Sequence, residues 1–149
     1  SSPLLGAFYR KRFLRVGFEG TNTIQFTDSK NQMHEETFHF VPFSCTKAPT
    51  VFKQTDSLVF TFDGVKNNDA ILFEIVDTSS ESPNMDSTLF IKNNTLIIPA
   101  TAFTKLSRGL LDFKFQKKQN QPLKNPMAEG GEFSFQYILK PIRVEMVLP

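Results

Sequence analysis

Alternation at a period of two runs through most of this chain, and it limits the fold more than any other feature. Leu14, Val16 and Phe18 fall on one face of an extended segment, with Phe13, Arg15 and Gly17 on the other. Ile24 and Phe26 repeat the pattern around Gln25. Phe38 and Phe40 repeat it around His39. Glu19-Gly20-Thr21 and Asp28-Ser29-Lys30-Asn31 supply the turns between them, because Asp, Ser and Asn bond local backbone in preference to a ladder. These first three strands are predicted to form an antiparallel meander over residues 1–43. Residues 44–50 read as a crossover to the remainder, with Cys45 in a polar loop.

Beyond the crossover, Leu58, Phe60 and Phe62 alternate with Val59, Thr61 and Asp63. Residues 70–76 are almost continuously apolar, interrupted by Glu74, which predicts a central strand covered on both faces. Residues 77–87 and 117–131 read as long loops. Asn93-Asn94 tolerates positive φ and predicts a tight hairpin turn between Leu89-Phe90-Ile91 and Leu96-Ile97-Ile98. Phe103 and Leu106 share one face of a predicted helical turn over residues 100–107, with Gly109 placed to cap it. Leu111, Phe113 and Phe115 alternate again. In the last strand Phe133, Phe135, Tyr137 and Leu139 have odd parity, whereas Ile142, Val144 and Met146 have even parity. Such a flip at Lys140-Pro141 requires one extra residue, a β-bulge, after which the strand is expected to follow the sheet rim.

The expectation is therefore an all-β chain of roughly nine or ten strands, arranged as an antiparallel two-sheet sandwich. A single domain over residues 1–149 is expected, the 1–43 meander packing on the portion at 50–149. The alternative is a lipocalin-like closed β-barrel, suggested by the opening Leu5-Gly6-Ala7-Phe8. A chain of 149 residues should bury about two thirds of its unfolded surface and needs no staples. It has none of the internal kind, since Cys45 is the only cysteine. The packing material is Phe, with 17 of them against two Tyr and no Trp, and Phe carries no polar atom to satisfy.

The chemistry-bearing residues are sparse. His34-Glu35-Glu36-Thr37-Phe38-His39 is one residue too long for a metalloprotease box. On a strand, an offset of five puts the two imidazoles on opposite faces. Neither His has a Ser or Cys beside it to activate, and Lys47 near Cys45 would lower its thiol pKa only slightly. No catalytic residue, metal ligand or cofactor site is assigned. Two basic stretches remain: Arg10, Lys11, Arg12 and Arg15, then Lys114, Lys117, Lys118 and Lys124. Meeting on one surface, they could grip an anionic glycan, a lipid headgroup or nucleic acid; scattered on edges, they would only discourage strand addition. A net charge of +2 is too weak to imply a nucleic-acid partner. Asn93-Asn94-Thr95 matches an N-glycosylation acceptor, yet those residues already have a turn to make.

The order Leu96-Ile97-Ile98-Pro99, then Phe103-x-x-Leu106-x-x-Gly109, then Leu111-x-Phe113-x-Phe115 resembles the strand, crossover and returning strand of immunoglobulin and fibronectin type III modules. With its Phe-rich strands, the chain is similar to such modules in cell-envelope lipoproteins of Bacteroidetes-type bacteria. It departs from them in having no core Trp, no cysteine pair and Phe113 in place of a corner tyrosine. The resemblance implies a sandwich of immunoglobulin-like type, with the immunoglobulin-like portion at 50–149, and a non-catalytic module for binding or spacing, extracellular or on the periplasmic or outer-membrane surface, with a protein or an anionic glycan as partner. The chain opens Ser1-Ser2-Pro3 without an initiator methionine, so processing from a longer precursor is expected, and a lost N-terminal lipid anchor could have tethered it to a membrane. A small barrel carrying an apolar ligand is the alternative function.

Overall fold

The computed structural model describes residues 20–27, 30–79, 85–124 and 132–149. The first predicted strand (13–18), the Leu5-Gly6-Ala7-Phe8 opening and the Arg10–Arg15 stretch lie outside them. The chain divides into two compact units, Ser1–Val41 and Pro42–Pro149. Among the described residues the structure is all-β, and no helix is long and apolar enough to cross a membrane.

In the first unit, β1 (Gly20–Thr27) pairs antiparallel with β2 (Met33–Phe40) in unbroken register. Asn31 takes φ 59° in the connection, a conformation that Asn adopts more cheaply than most residues. One face of the hairpin carries Ile24, Phe26, Phe38 and Phe40, with both Phe of β2 buried. The other is a polar ladder. Thr21 Oγ1 lies 3.2 Å from His39 Nδ1, the Thr23 and Thr37 hydroxyls are 3.3 Å apart, and Gln25 Nε2 donates to Glu35 at 2.8 Å. His34 stacks on Phe26 on the opposite face from His39, the separation that the five-residue offset dictates.

The second unit contains β3 (Ser44–Lys47), β4 (Val51–Lys53), β5 (Leu58–Asp63), β6 (Ala70–Asp77), β7 (Met85–Phe90), β8 (Thr95–Ile98), β9 (Gly109–Pro122), β10 (Glu132–Ile138) and β11 (Ile142–Val147). They form a three-stranded sheet in the order β3-β5-β8 and a six-stranded sheet in the order β4-β11-β9-β6-β7, with β10 also on β9. Both orders are open paths among the described residues, so the closed-barrel alternative is not what these strands build. The two sheets meet through aromatic rings. Phe60 on β5 reaches Phe113 and Phe115 on β9 at 5.2 and 4.8 Å between centroids, and Phe62 reaches Phe115 at 5.2 Å. Phe52 on β4 meets Phe103 edge-on at 4.7 Å. All but Phe52 are essentially without solvent contact. The tilted and edge-to-face geometries are those the ring quadrupole favours.

The β-bulge stands where parity places it. Ile138 pairs with Gln116 and Ile142 with Phe113, four residues forward on one strand against three on the other. Tyr137 and Leu139 before the bulge and Val144 and Met146 after it are all buried. The continuation is not a rim strand, however: β11 lies between β9 and β4 and pairs in parallel with the latter.

Four further expectations are corrected. Residues 44–50 hold a strand, β3, and Val51–Lys53 forms another, which raises the described strands to 11. Strands of three or four residues are too short to show a period in the sequence, and both are set by pairing with distant strands, β3 with β5 and β4 with β11, the latter also burying Phe52. Strand β6 is central in its hydrogen bonding but covered on one face only: Ile71, Phe73 and Ile75 are buried, while Leu72 is exposed. Parts of the loops expected at 77–87 and 117–131 are strand, since β7 begins at Met85 and β9 runs to Pro122; residues 80–84 and 125–131 lie outside the described residues. The polar run Gln116-Lys117-Lys118-Gln119-Asn120-Gln121 stays extended because β10 pairs along it. At 100–107 only Ala100–Phe103 is helical, as a 3₁₀ turn, with Phe103 and Leu106 both buried; Gly109, at φ 128°, opens β9 instead of capping a helix.

Asn93 and Asn94 take φ 51° and 61° in the predicted hairpin turn. Among the described glycines, Gly64 is the one with no room for a side chain. It follows β5 at φ 74°, and a Cβ there would overlap the Pro42 carbonyl oxygen. Gly64→Ala combines left-handed strain with a backbone clash, so we expect a loss of roughly 2–4 kcal/mol in urea unfolding.

Candidate interaction face

The face of the six-stranded sheet that turns away from the rings is built by register. Because Ile71, Phe73 and Ile75 point into the core, Leu72, Glu74 and Val76 point out of it. Pairing then aligns rows across the strands. Thr88, Leu72, Gln116 and Ile138 form one row, and Asp86, Glu74 and Lys114 form the next. Val76, Asp112 and Arg143 form a third. Phe90 projects from the end of β7 on the same side and is 64% exposed, and Ile138 is 61% exposed. The face thus sets large apolar side chains among charges and amides, the mixture found where a surface meets another surface.

Two shallow open clefts flank the start of β7. One, of about 300 Å³, is lined by Leu72, Phe73, Glu74, Met85, Asp86 and Gln116. The other, of about 350 Å³, runs from Met85 and Asp86 to Thr101, Thr104 and Lys105 beside the 3₁₀ turn. Glu74 and Asp86 stand directly opposite each other, an arrangement of like charges that a cationic group in the first cleft would relieve.

The predicted basic residues that the structure describes do not all share this face. Lys114 and Lys118 lie on it, Lys114 across from Glu74. Lys117 has the opposite parity, and its Nζ is 2.9 Å from Asp69 Oδ2. Lys124 is exposed two residues past the end of β9. Arg10, Lys11, Arg12 and Arg15 fall outside the described residues. What the sequence reading passed over is the apolar part: Leu72, Phe90 and Ile138. The signal was there for Leu72, since it shares even parity with Glu74, the charged residue that interrupts the apolar run of its strand.

Comparison with protein-family models, with curated proteins and with solved structures gives no match.

The other titratable groups are held in structural roles. Burial pushes the Cys45 thiol above its ordinary range, only partly offset by the backbone of Lys47, and the residue sits in β3 opposite Phe62. The expected lowering by Lys47 is therefore reversed. Asp77 is buried; one carboxylate oxygen accepts from Ser79 N–H and Oγ–H at 2.8 and 2.6 Å, the other from Ser107 N–H at 3.3 Å. It ties the end of β6 to the segment entering β9. Among the described residues, no group of three or more His, Cys, Asp or Glu is placed to hold a metal ion.

Asp69 and Asp112 carry an acid dependence. Burial raises the Asp69 carboxyl, but the Lys117 ammonium and the Lys66 N–H outweigh it, leaving the pKa below the ordinary carboxylate value. The Arg143 guanidinium, bidentate at 2.8 and 3.0 Å, does the same for Asp112. A carboxyl whose pKa is depressed by folding stabilises the fold above its unfolded value, about 4, and loses that contribution as pH falls through the folded value. Asp69→Asn should therefore cost about 1–2 kcal/mol at pH 7. The deficit should shrink when urea unfolding is repeated near pH 3, roughly a unit below the unfolded value.

Proposed function

We propose that residues 42–149 form an immunoglobulin-like sandwich whose work is binding or spacing, carried on an exported or cell-envelope protein. The fold reading is supported by strand order. The first, third and sixth strands of the unit make one sheet, and the other carries its last strand beside the long returning β9, then β6 and β7, in the manner of the A-B-E and G-F-C-C′ sheets of such modules. The functional reading rests on one observation: the outward face of the larger sheet exposes Phe90, Leu72 and Ile138 beside the Glu74–Asp86 notch. A protein surface bearing apolar groups and a Lys or Arg for the notch is the partner it suits best; the split of the β9 lysines between two sheet faces leaves an anionic glycan less to hold.

A photo-crosslinking residue at Ile138, in the protein expressed in its native cells, tests this reading. It should yield a discrete protein adduct. The same residue at Val59, on the outward face of the smaller sheet, should give none. Equal labelling from both positions, or none from either, would remove the face as a binding surface.

A further inference from the structure

Strand β7 ends the larger sheet, and it differs from the other sheet edges of its unit. Among the described residues its only strand partner is β6. Edges are ordinarily blunted by shortness, Lys, Pro or a bulge. Strand β4 has three residues and carries Lys53. The register of β3 slips between Cys45 and Lys47. Strand β8 has four residues and stops at Pro99. Strand β10 runs into the bulge with Lys140 and Pro141. Strand β7 has six residues in unbroken register with β6, no Lys, Arg or Pro, and a single charge, Asp86.

The hydrogen bonds say which of its groups look outward. Ile91 N–H donates to Asp69 O at 2.9 Å and Ile91 O accepts from Asn68 N–H at 2.8 Å, both towards the β6 side. Alternation along an antiparallel strand then directs the backbone N–H and C=O of Leu89, Ser87 and Met85 to β6. Those of Phe90, Thr88 and Asp86 point away from the sheet.

We propose that β7 is the seam of a symmetric homodimer, two copies adding edge to edge and antiparallel about a two-fold axis through Thr88. A two-fold normal to the sheet keeps each face on its own side, so a residue of even parity must meet one of even parity. The register with most pairs sets Thr88 against Thr88 of the partner subunit and Asp86 against Phe90 of the partner subunit. Every outward N–H and C=O from 86 to 90 is then used, for about six backbone hydrogen bonds. The same register places no like charges opposite each other, gives a favourable Thr–Thr pair and brings both exposed Phe90 rings onto one continuous face. A net charge of +2 offers the copies little repulsion. A second copy fits better than an unlike edge because a like-with-like contact closes at two subunits, whereas unlike edges would build open chains.

Sedimentation velocity across a concentration series, with two designed variants, tests the seam. The full chain should pass from monomer to dimer and go no further. Thr88→Pro removes an N–H that faces solvent in the monomer, which an edge strand tolerates. It should weaken the dimer by roughly tenfold or more while leaving the urea midpoint of the monomer in place. In a Cys45→Ser background, Thr88→Cys should give a disulfide-linked dimer under oxidised glutathione, since the facing Cα atoms would stand about 5.5 Å apart. Ser87→Cys, on the inward face, should not. A chain that stays monomeric throughout, a dimer indifferent to Thr88→Pro, assemblies larger than two, or equal crosslinking from positions 87 and 88 would each overturn the proposal.

Discussion

Truncating Phe60 to alanine is expected to destabilise the Pro42–Pro149 unit by roughly 3–5 kcal/mol. The ring has no solvent contact and touches Phe113 and Phe115, so it joins the three-stranded sheet to the six-stranded one. Its neighbours come from a strand held on both sides by others, and they cannot collapse into the space it leaves. The loss is therefore the transfer energy of the ring plus that of a cavity. Phe60→Leu keeps most of the volume and should cost about 1–1.5 kcal/mol. Urea unfolding followed by circular dichroism separates the two, and equal losses for both would show that the ring contacts are not what holds the sheets together.

Deleting Lys140 should be worse still. The chain needs one residue more than β9 between Ile138 and Ile142, and the bulge supplies it. Without it, either Tyr137 and Leu139 or Val144 and Met146 must turn outward, because a slip of one residue moves every side chain to the other face. Exposing two such side chains costs several kcal/mol, and strand β4 loses its parallel partner as well. Domains of this size hold about 5–15 kcal/mol in total, so cooperative unfolding of the unit should disappear. Lys140→Ala, which keeps the residue count, should stay within about 0.5 kcal/mol of the parent. That contrast isolates the backbone from the side chain.

Both predictions draw on features that the amino-acid sequence already displayed. Parity along Phe133, Tyr137, Leu139, Val144 and Met146 located the bulge because each of those side chains must choose between core and water. The Asn93-Asn94 turn was legible for a local reason, the ease with which Asn takes positive φ. Strands β3 and β4 were not legible. Three or four residues with mixed exposure carry no period, and their order depends on partners distant in the chain, β5 for one and β11 for the other. The polar half of β9 failed for the same reason: its extension comes from the β10 ladder, and nothing in Gln119-Asn120-Gln121 announces it.

The candidate face was hidden differently. Its basic residues stood out by composition, yet register splits them, with Lys117 turned to Asp69 and Lys114 set across from Glu74. Its apolar residues looked like core because Leu72 and Phe90 sit in apolar runs. An exposed side chain becomes visible only when the strand's second face is known to be uncovered.

The arrangement of the Pro42–Pro149 unit is tested most directly by nuclear Overhauser contacts in the isotopically labelled chain. The structure predicts ring contacts from Phe60 to both Phe113 and Phe115, backbone contacts pairing Ile138 with Gln116 and Ile142 with Phe113, and a parallel contact between Val51 and Glu145. Contacts placing Ile142 opposite Asp112 in an unbroken register, with no Phe60–Phe115 contact, would contradict it.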